Sequence, residues 1–285
     1  MWATFLIVLI PIVLISMPKL KIADIHLYYE TAGRGQPVLF LHGLGSSSRD
    51  WESQVRVCSK HYQTMTVDLR GHGQSDKPRG AAYGIPLFAS DTAALLQALG
   101  LGPAHVVGLS MGGMVAFQLA LNSPQQVKSL VIVNSQPELK LRTWQERMNG
   151  LTRLLIIKLL GMRKMGQVLS KKLFPEASQV DLRAAFIARW ADNDARAYYR
   201  TLKSLIGWSV AERLSEISCR TLVIGAGQDY TSTAFKQGYV DQMPNATLVT
   251  IQNARHFLPL ERPDAFNQVL MEFLSDVDAS VPINR

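Results

Sequence analysis

Three side chains in the sequence have the types needed to act as nucleophile, base and orienting acid: Ser110, His256 and Asp229. Ser110 lies in the run "VVGLSMGGMVAFQLA", between Gly108 and Gly112, where a β-branched pattern gives way to a helical one. Turning a strand into a helix so tightly forces the central residue into strained backbone, and flanking glycines leave room for the neighbouring main chain. In a G-x-S-x-G turn the hydroxyl stands clear at the strand's end. The next backbone N–H, here that of Met111, points toward whatever the oxygen attacks. A plain glycine-rich turn with an N-capping serine would look much the same, so the reading depends on partners for the serine.

The partners follow other strand-like runs. "PVLFL" leads into His42-Gly43-Leu44-Gly45, a turn able to present the Leu44 N–H as a second oxyanion donor. "CRTLVIGAG" leads to Asp229, and "ATLVTIQNA" leads to Arg255 and His256. The order Ser110, Asp229, His256 is the one expected of a nucleophile-elbow hydrolase. In that chemistry the imidazole takes the serine proton during attack on an acyl carbon, and the aspartate holds its tautomer.

The elements that must position these groups are legible as well. "PVLFLHG", "QTMTVDLRG", "HVVGLS", "VKSLVIVNS", "CRTLVIGAG" and "ATLVTIQ" are apolar nearly throughout, and several are separated by helical patterns. Such runs predict a parallel sheet covered by helices on both faces, with its site beyond the carboxyl ends of the strands. Before them, "KIADIHLYYET" reads as an antiparallel hairpin at the sheet edge.

Taken together, the His42-Gly43 turn, "DLRGHGQS" from Asp68 to Ser75, the "GLSMGG" elbow, "GAGQD" ending at Asp229 and "ARHFLPLERP" around His256 resemble the α/β-hydrolase superfamily. The resemblance covers nearly everything after Met17. It implies an α/β fold with a mostly parallel eight-stranded sheet and a helical cap inserted after the sixth strand. The core would comprise 18–136 and 219–285, and the cap 137–218. Some members carry the triad acid after the sixth strand; here Asn134 occupies that place, which leaves Asp229. A serine nucleophile disfavours the branches that use aspartate, such as haloalkane dehalogenases and epoxide hydrolases. The "HGLGSSS" turn lacks the "SGPG" type seen in C–C bond hydrolases.

Other candidates have simpler explanations. His42 and His72 sit in family-like turns that suit structural hydrogen bonding. His26, His61 and His105 have no partner pattern. Asp68 and Arg70 are expected to fix the loop after the fourth strand. Glu261, in "LERP", is expected at the start of the last helix.

Between Gln136 and about Ser218 the pattern is helical, and by the resemblance the inner face of this cap forms the substrate pocket. Trp144, Leu151, Leu155, Trp190, Tyr198 and Trp208 are its candidate lining residues. From Glu138 to Lys172 nine cations face two carboxylates, a surplus of seven in a chain of formal net charge +8. Gly161 interrupts this run, and the cations form no single helical stripe. Beyond a solvated surface, this field would suit an anionic substrate, an acidic carrier protein or an anionic membrane surface.

At 285 residues and 47% hydrophobic content the chain can bury a large core. Cys58 and Cys219 form no C-x-x-C pair and read as reduced core thiols. Residues 1–17, "MWATFLIVLIPIVLISM", are apolar but short for a bilayer span, contain Pro11, and lack the features of a secretory signal. They read either as a leader outside the true start at Met17 or as an anchor, with the catalytic domain cytoplasmic in both cases.

The expected function is therefore hydrolysis of a carboxylic ester through an acyl-enzyme, on a small-molecule ester or lactone. It requires no cofactor, metal or nucleic acid. The sequence is similar to carboxylesterases, 3-oxoadipate enol-lactonases and pimeloyl-carrier-protein methyl ester esterases. C–C bond hydrolysis, acyl transfer and a non-catalytic binding role on the same fold are the alternatives.

Overall fold

The near-continuous apolar runs fold into one eight-stranded sheet in the order β1-β2-β4-β3-β5-β6-β7-β8. The structure, a computed structural model, describes residues 19–80 and 82–280; residues 1–17, and the expectations attached to them, lie outside these. The edge hairpin is β1 (Lys19–Ile22) and β2 (Ile25–Ala32), and β2 pairs antiparallel with β4 (Gln63–Val67). All pairings among β4, β3 (Pro37–Leu41), β5 (Ala104–Leu109), β6 (Val127–Val133), β7 (Arg220–Ala226) and β8 (Ala246–Ile251) are parallel.

Helices cover both faces, which is why the central strands carry apolar residues at successive positions rather than alternate ones. The core is split by the sheet: Leu39 and Leu41 of β3 belong to one apolar layer, Val38 and Phe40 to the other. The side chains alternate because successive Cβ atoms of a strand point to opposite faces. After α1 (Glu52–Cys58), the helices α2 (Ile85–Ala98) and α3 (Met111–Asn122) supply the Leu39 layer with Phe88, Leu95 and Phe117.

Between β6 and β7 the chain leaves the sheet for a helical insertion of α4 (Trp144–Leu173), α5 (Val180–Ala191) and α6 (Ala195–Leu205). Thr143 and Glu146 close a capping box at the start of α4, and Gly161, at φ +76°, breaks the helix. After β7 come α7 (Thr233–Val240), α8 (Leu258–Glu261) and α9 (Pro263–Ala279). Cys58 of α1 and Phe266, Leu270 and Phe273 of α9 supply the Val38 layer. Among the described residues no helix is long and apolar enough to cross a membrane.

Two devices fix the insertion and the loops beneath it. Arg70, fully buried, donates to Asp91 through Nε at 2.7 Å and to Asp24 through its terminal nitrogens at 2.7 and 3.0 Å, while Asp68 accepts from the Ser48 and Gln74 N–H groups. These contacts pin the loop after β4, as expected. Above them a ladder of rings joins the insertion to the loop after β8: Phe174 meets Phe186 at 5.7 Å, Phe186 stacks on Trp190 at 5.1 Å, and Phe257 meets Phe186 edge-on at 5.2 Å. Phe186 is the hub of this ladder and is buried. Phe186→Ala is expected to cost about 3–5 kcal/mol, the range for truncating a buried aromatic, read as a lower midpoint in urea denaturation.

Candidate active site

The elbow forms where β5 runs straight into α3. Ser110 has φ +53° and ψ −113°, a left-handed conformation that a non-glycine residue adopts only under constraint. The constraint is close packing. A Cβ on Gly112 would lie 2.1 Å from the Leu41 carbonyl oxygen, and one on Gly108 would lie 2.3 Å from the Gly112 carbonyl oxygen. Only hydrogen at those two positions lets α3 start so close to β3. The Ser110 N–H is held by the Val133 carbonyl at 2.9 Å, and its own carbonyl accepts from the Ser135 hydroxyl at 2.6 Å.

Strand ends far apart in sequence bring the three expected side chains together. His256 Nε2 lies 3.0 Å from Ser110 Oγ, and His256 Nδ1 lies 2.6 Å from Asp229 Oδ1. An ionised carboxylate only accepts, so the imidazole proton resides on Nδ1 and Nε2 is left to accept from the serine hydroxyl. The other carboxylate oxygen, Oδ2, receives the Lys236 ammonium at 2.7 Å and the Thr231 hydroxyl at 3.1 Å. Burial alone would raise the Asp229 carboxyl; its contacts with His256 and Lys236 outweigh that and hold it well below the usual carboxylate range.

Further contacts hold the loop that carries His256. Asn134, at φ +42°, donates through its amide to the Arg255 and His256 carbonyls at 3.1 and 3.0 Å and accepts from the Ala226 N–H at 2.8 Å. Glu261 closes α8 instead of opening the last helix as expected; its buried carboxylate accepts from the Arg255 N–H and guanidinium and from Gln179 just before α5. Tyr230 stacks on the His256 ring, 4.3 Å between centroids, while remaining largely exposed.

The N–H groups of Leu44 and Met111 have no hydrogen-bond acceptor among the described residues. For Met111 this follows from its place in the first turn of α3, where N–H groups have no partner within the helix. Both residues line a cavity of about 260 Å³ that also reaches Ser110 and His256. Its floor is formed by Gly43, Leu109, Met114 and Ser135 of the core, and its roof by Arg153, Leu169, Leu173 and Trp190 of the insertion.

Of the six pocket candidates, Trp190 alone lines this cavity. Trp144, Leu151 and Leu155 are 74%, 52% and 55% exposed, on the outer side of α4. The reason is helical geometry: Leu151 and Leu155 are four residues apart and share a face, whereas Arg153 and the buried Ile157 share the opposite one. Tyr198 is buried behind Trp190, 5.4 Å from its ring, and does not line the cavity. Trp208 is buried in the Leu39 layer, with its indole N–H donating to Gln118 on α3 at 3.0 Å.

His42 and His72 are structural in their contacts. The His42 ring accepts from the Leu69 N–H at 3.0 Å and donates to the Gly43 carbonyl at 2.7 Å. Burial pushes its pKa down to about 4 and that of His72 down to about 3, so both rings are neutral. Sequence reasoning missed Lys236 and Tyr230, and it offers Arg153 only as one of the nine cations between Glu138 and Lys172. Lys236 follows Asp229 by seven residues as the lone cation in "TAFKQGYV", and Tyr230 is the residue after the acid. The sequence shows of Asn134 only that an amide stands where some family members carry an acid.

A sheet of this order, with the elbow after β5 and a helical insertion after β6, defines a hydrolase fold. The chain belongs to the α/β hydrolase fold family, whose profile matches residues 36–263. It is 26% identical over 251 residues to the (E)-2-((N-methylformamido)methylene)succinate hydrolase of Acinetobacter baylyi, across 87% of this chain and 93% of that protein. The structure of Est816, described as an N-acyl homoserine lactone degrading enzyme, is similar at TM-score 0.75 and 29% identity, over 90% of this chain and 100% of that one. The enol-lactonase from Burkholderia xenovorans LB400 shares the fold at TM-score 0.83 and 22% identity, over 90% of this chain and 100% of that one.

The buried Lys236–Asp229 pair sets the charge seen by the imidazole. Replacing the cation by an isosteric apolar group removes one of the contacts that hold the Asp229 carboxyl low, so the carboxylate takes up its proton at higher pH. Lys236→Met is therefore expected to move the acid limb of kcat/KM to higher pH, measured as a pH–rate profile beside the parent protein. An unmoved limb would show that the pair acts only in folding.

Proposed function

We propose that the protein is a serine hydrolase that cleaves a carboxylic ester or lactone through an acyl-enzyme on Ser110. The observation that carries this reading is the unbroken path from Ser110 Oγ through both imidazole nitrogens to a buried, ionised Asp229, with contacts of 3.0 and 2.6 Å. Ser110 Oγ attacks the acyl carbon while its proton passes to His256 Nε2. Asp229 stabilises the imidazolium, and the N–H groups of Leu44 and Met111 receive the oxyanion where no protein acceptor competes for them. Collapse expels the alcohol, which takes the proton from Nε2. Water then attacks the acyl-enzyme, giving its proton to the same nitrogen, which hands it to the departing Ser110 Oγ as the acid product is released. The lactone part of the reading is supported by the likeness to Est816, whose described activity is on N-acyl homoserine lactones.

A fluorophosphonate probe is expected to label Ser110, and Ser110→Ala is expected to lower turnover of p-nitrophenyl esters by about 10⁴-fold or more with little change in melting temperature. Folded protein that neither labels at Ser110 nor turns over any ester would overturn the proposal in favour of a binding role.

A further inference from the structure

Arg153 is a cation placed in the catalytic cavity with nothing of opposite charge to meet it. It lines the cavity from α4, the only lysine or arginine among the described residues to do so. Among the described residues no carboxylate lies within ion-pair distance of its guanidinium, and its buried Nε has no hydrogen-bond partner. The one carboxylate in the cavity wall, Asp229, is already engaged by His256, Lys236 and Thr231. What does hold Arg153 is aromatic: its guanidinium carbon lies 5.5 Å from the Tyr198 ring centroid and 6.0 Å from that of Trp190. This is an arrangement that orients the charge without neutralising it. The Trp190 indole N–H is likewise buried without an acceptor, while the Tyr198 hydroxyl lies against the Arg153 guanidinium. Burial raises the Tyr198 phenol above its ordinary value, so it remains a donor.

Arg153 and the Trp190 indole thus stand as donors in the roof above Ser110 with no carboxylate to meet them, and Tyr198 packs behind them. Leaving buried donors unpaired is costly, and a planar guanidinium fork matches a carboxylate in two parallel hydrogen bonds. Building on the ester or lactone hydrolase reading, we infer that Arg153 receives a free carboxylate of the substrate, which is a small ester or lactone bearing an anionic group beside the bond that is cleaved. Arg153 is then the specificity-determining residue of the cavity. The surplus of basic side chains along α4 adds to this preference at longer range, since Lys158 before the Gly161 break and Arg163, Lys164, Lys171 and Lys172 after it are all exposed.

The test compares esters that differ only in that charge. On the acyl side the pair is p-nitrophenyl hydrogen glutarate and its methyl ester. On the alcohol side it is 4-acetoxybenzoate and its methyl ester. In at least one pair the free acid is expected to have the higher kcat/KM, by about tenfold or more, the factor a charge-assisted hydrogen bond supplies. Arg153→Gln should collapse that ratio, whatever it does to either absolute rate, and Arg153→Lys should keep part of it. No preference in either pair, or a preference that survives Arg153→Gln, overturns the inference and leaves the hydrolase reading standing. If no ester is turned over, titration calorimetry with glutarate decides the matter separately: binding to the parent protein that is lost in Arg153→Gln supports the inference, and equal or absent binding refutes it.

Discussion

The structure depends on one close approach. The first turn of α3 lies against the end of β3 so tightly that the Gly112 Cα would place a Cβ 2.1 Å from the Leu41 carbonyl oxygen. That packing fixes where α3 begins, and therefore forces Ser110 into φ +53° at the end of β5. It also leaves the Met111 N–H at the open end of a helix, pointing where the macrodipole is positive. The strained residue, the exposed hydroxyl and the unpaired donor are thus consequences of a single steric fact, which the hydrogen bonds to Val133 and Ser135 stabilise.

Around that fixed point, loops from the ends of β6, β7 and β8 have to be brought to hydrogen-bonding distance. Each is tied by hydrogen bonds and ion pairs as well as by apolar packing. Lys236 compensates the buried Asp229 carboxylate from behind, and Asn134 bridges the carbonyls of the His256 loop to the end of β7. Glu261 links that same loop to the residue preceding α5. A buried charge with one partner removed is strongly unfavourable, so these contacts constrain one another: the acid cannot shift without uncovering the lysine. The contacts of His256 with Ser110 and Asp229, at 3.0 and 2.6 Å, are held in place by this network.

The insertion has the opposite character. It closes the cavity with a mixture of aliphatic and aromatic groups and leaves a cation inside it without a counter-charge. On its outer side Trp144, Leu151 and Leu155 face solvent, while the inner side packs through Ile157, Phe186 and Trp190. The sheet half of the cavity presents general machinery, and the helical half presents the features that can discriminate between substrates. This division follows from topology, because a segment between β6 and β7 can vary without disturbing the packing beneath the elbow.

The strands, their parallel arrangement and the candidate trio Ser110, His256 and Asp229 were legible in the sequence because each rests on a local signal. Doubly covered strands must be apolar at consecutive positions, and an elbow must have glycine where backbones touch. Loops at strand ends carry the polar residues, so Asp229 and His256 announce themselves by position. Arg70 and Asp68 were readable as loop anchors on the same grounds. What only the tertiary structure decided are the contacts that depend on which face of an amphipathic element turns inward. Leu151 and Leu155 are as apolar as any pocket residue, yet they turn outward while Arg153 turns in. Lys236 sits on an ordinary surface-like helix until the fold places its ammonium against Asp229. Side-chain type and helical spacing define a face; the direction in which that face points is set by the packing of distant elements, and no local pattern encodes it.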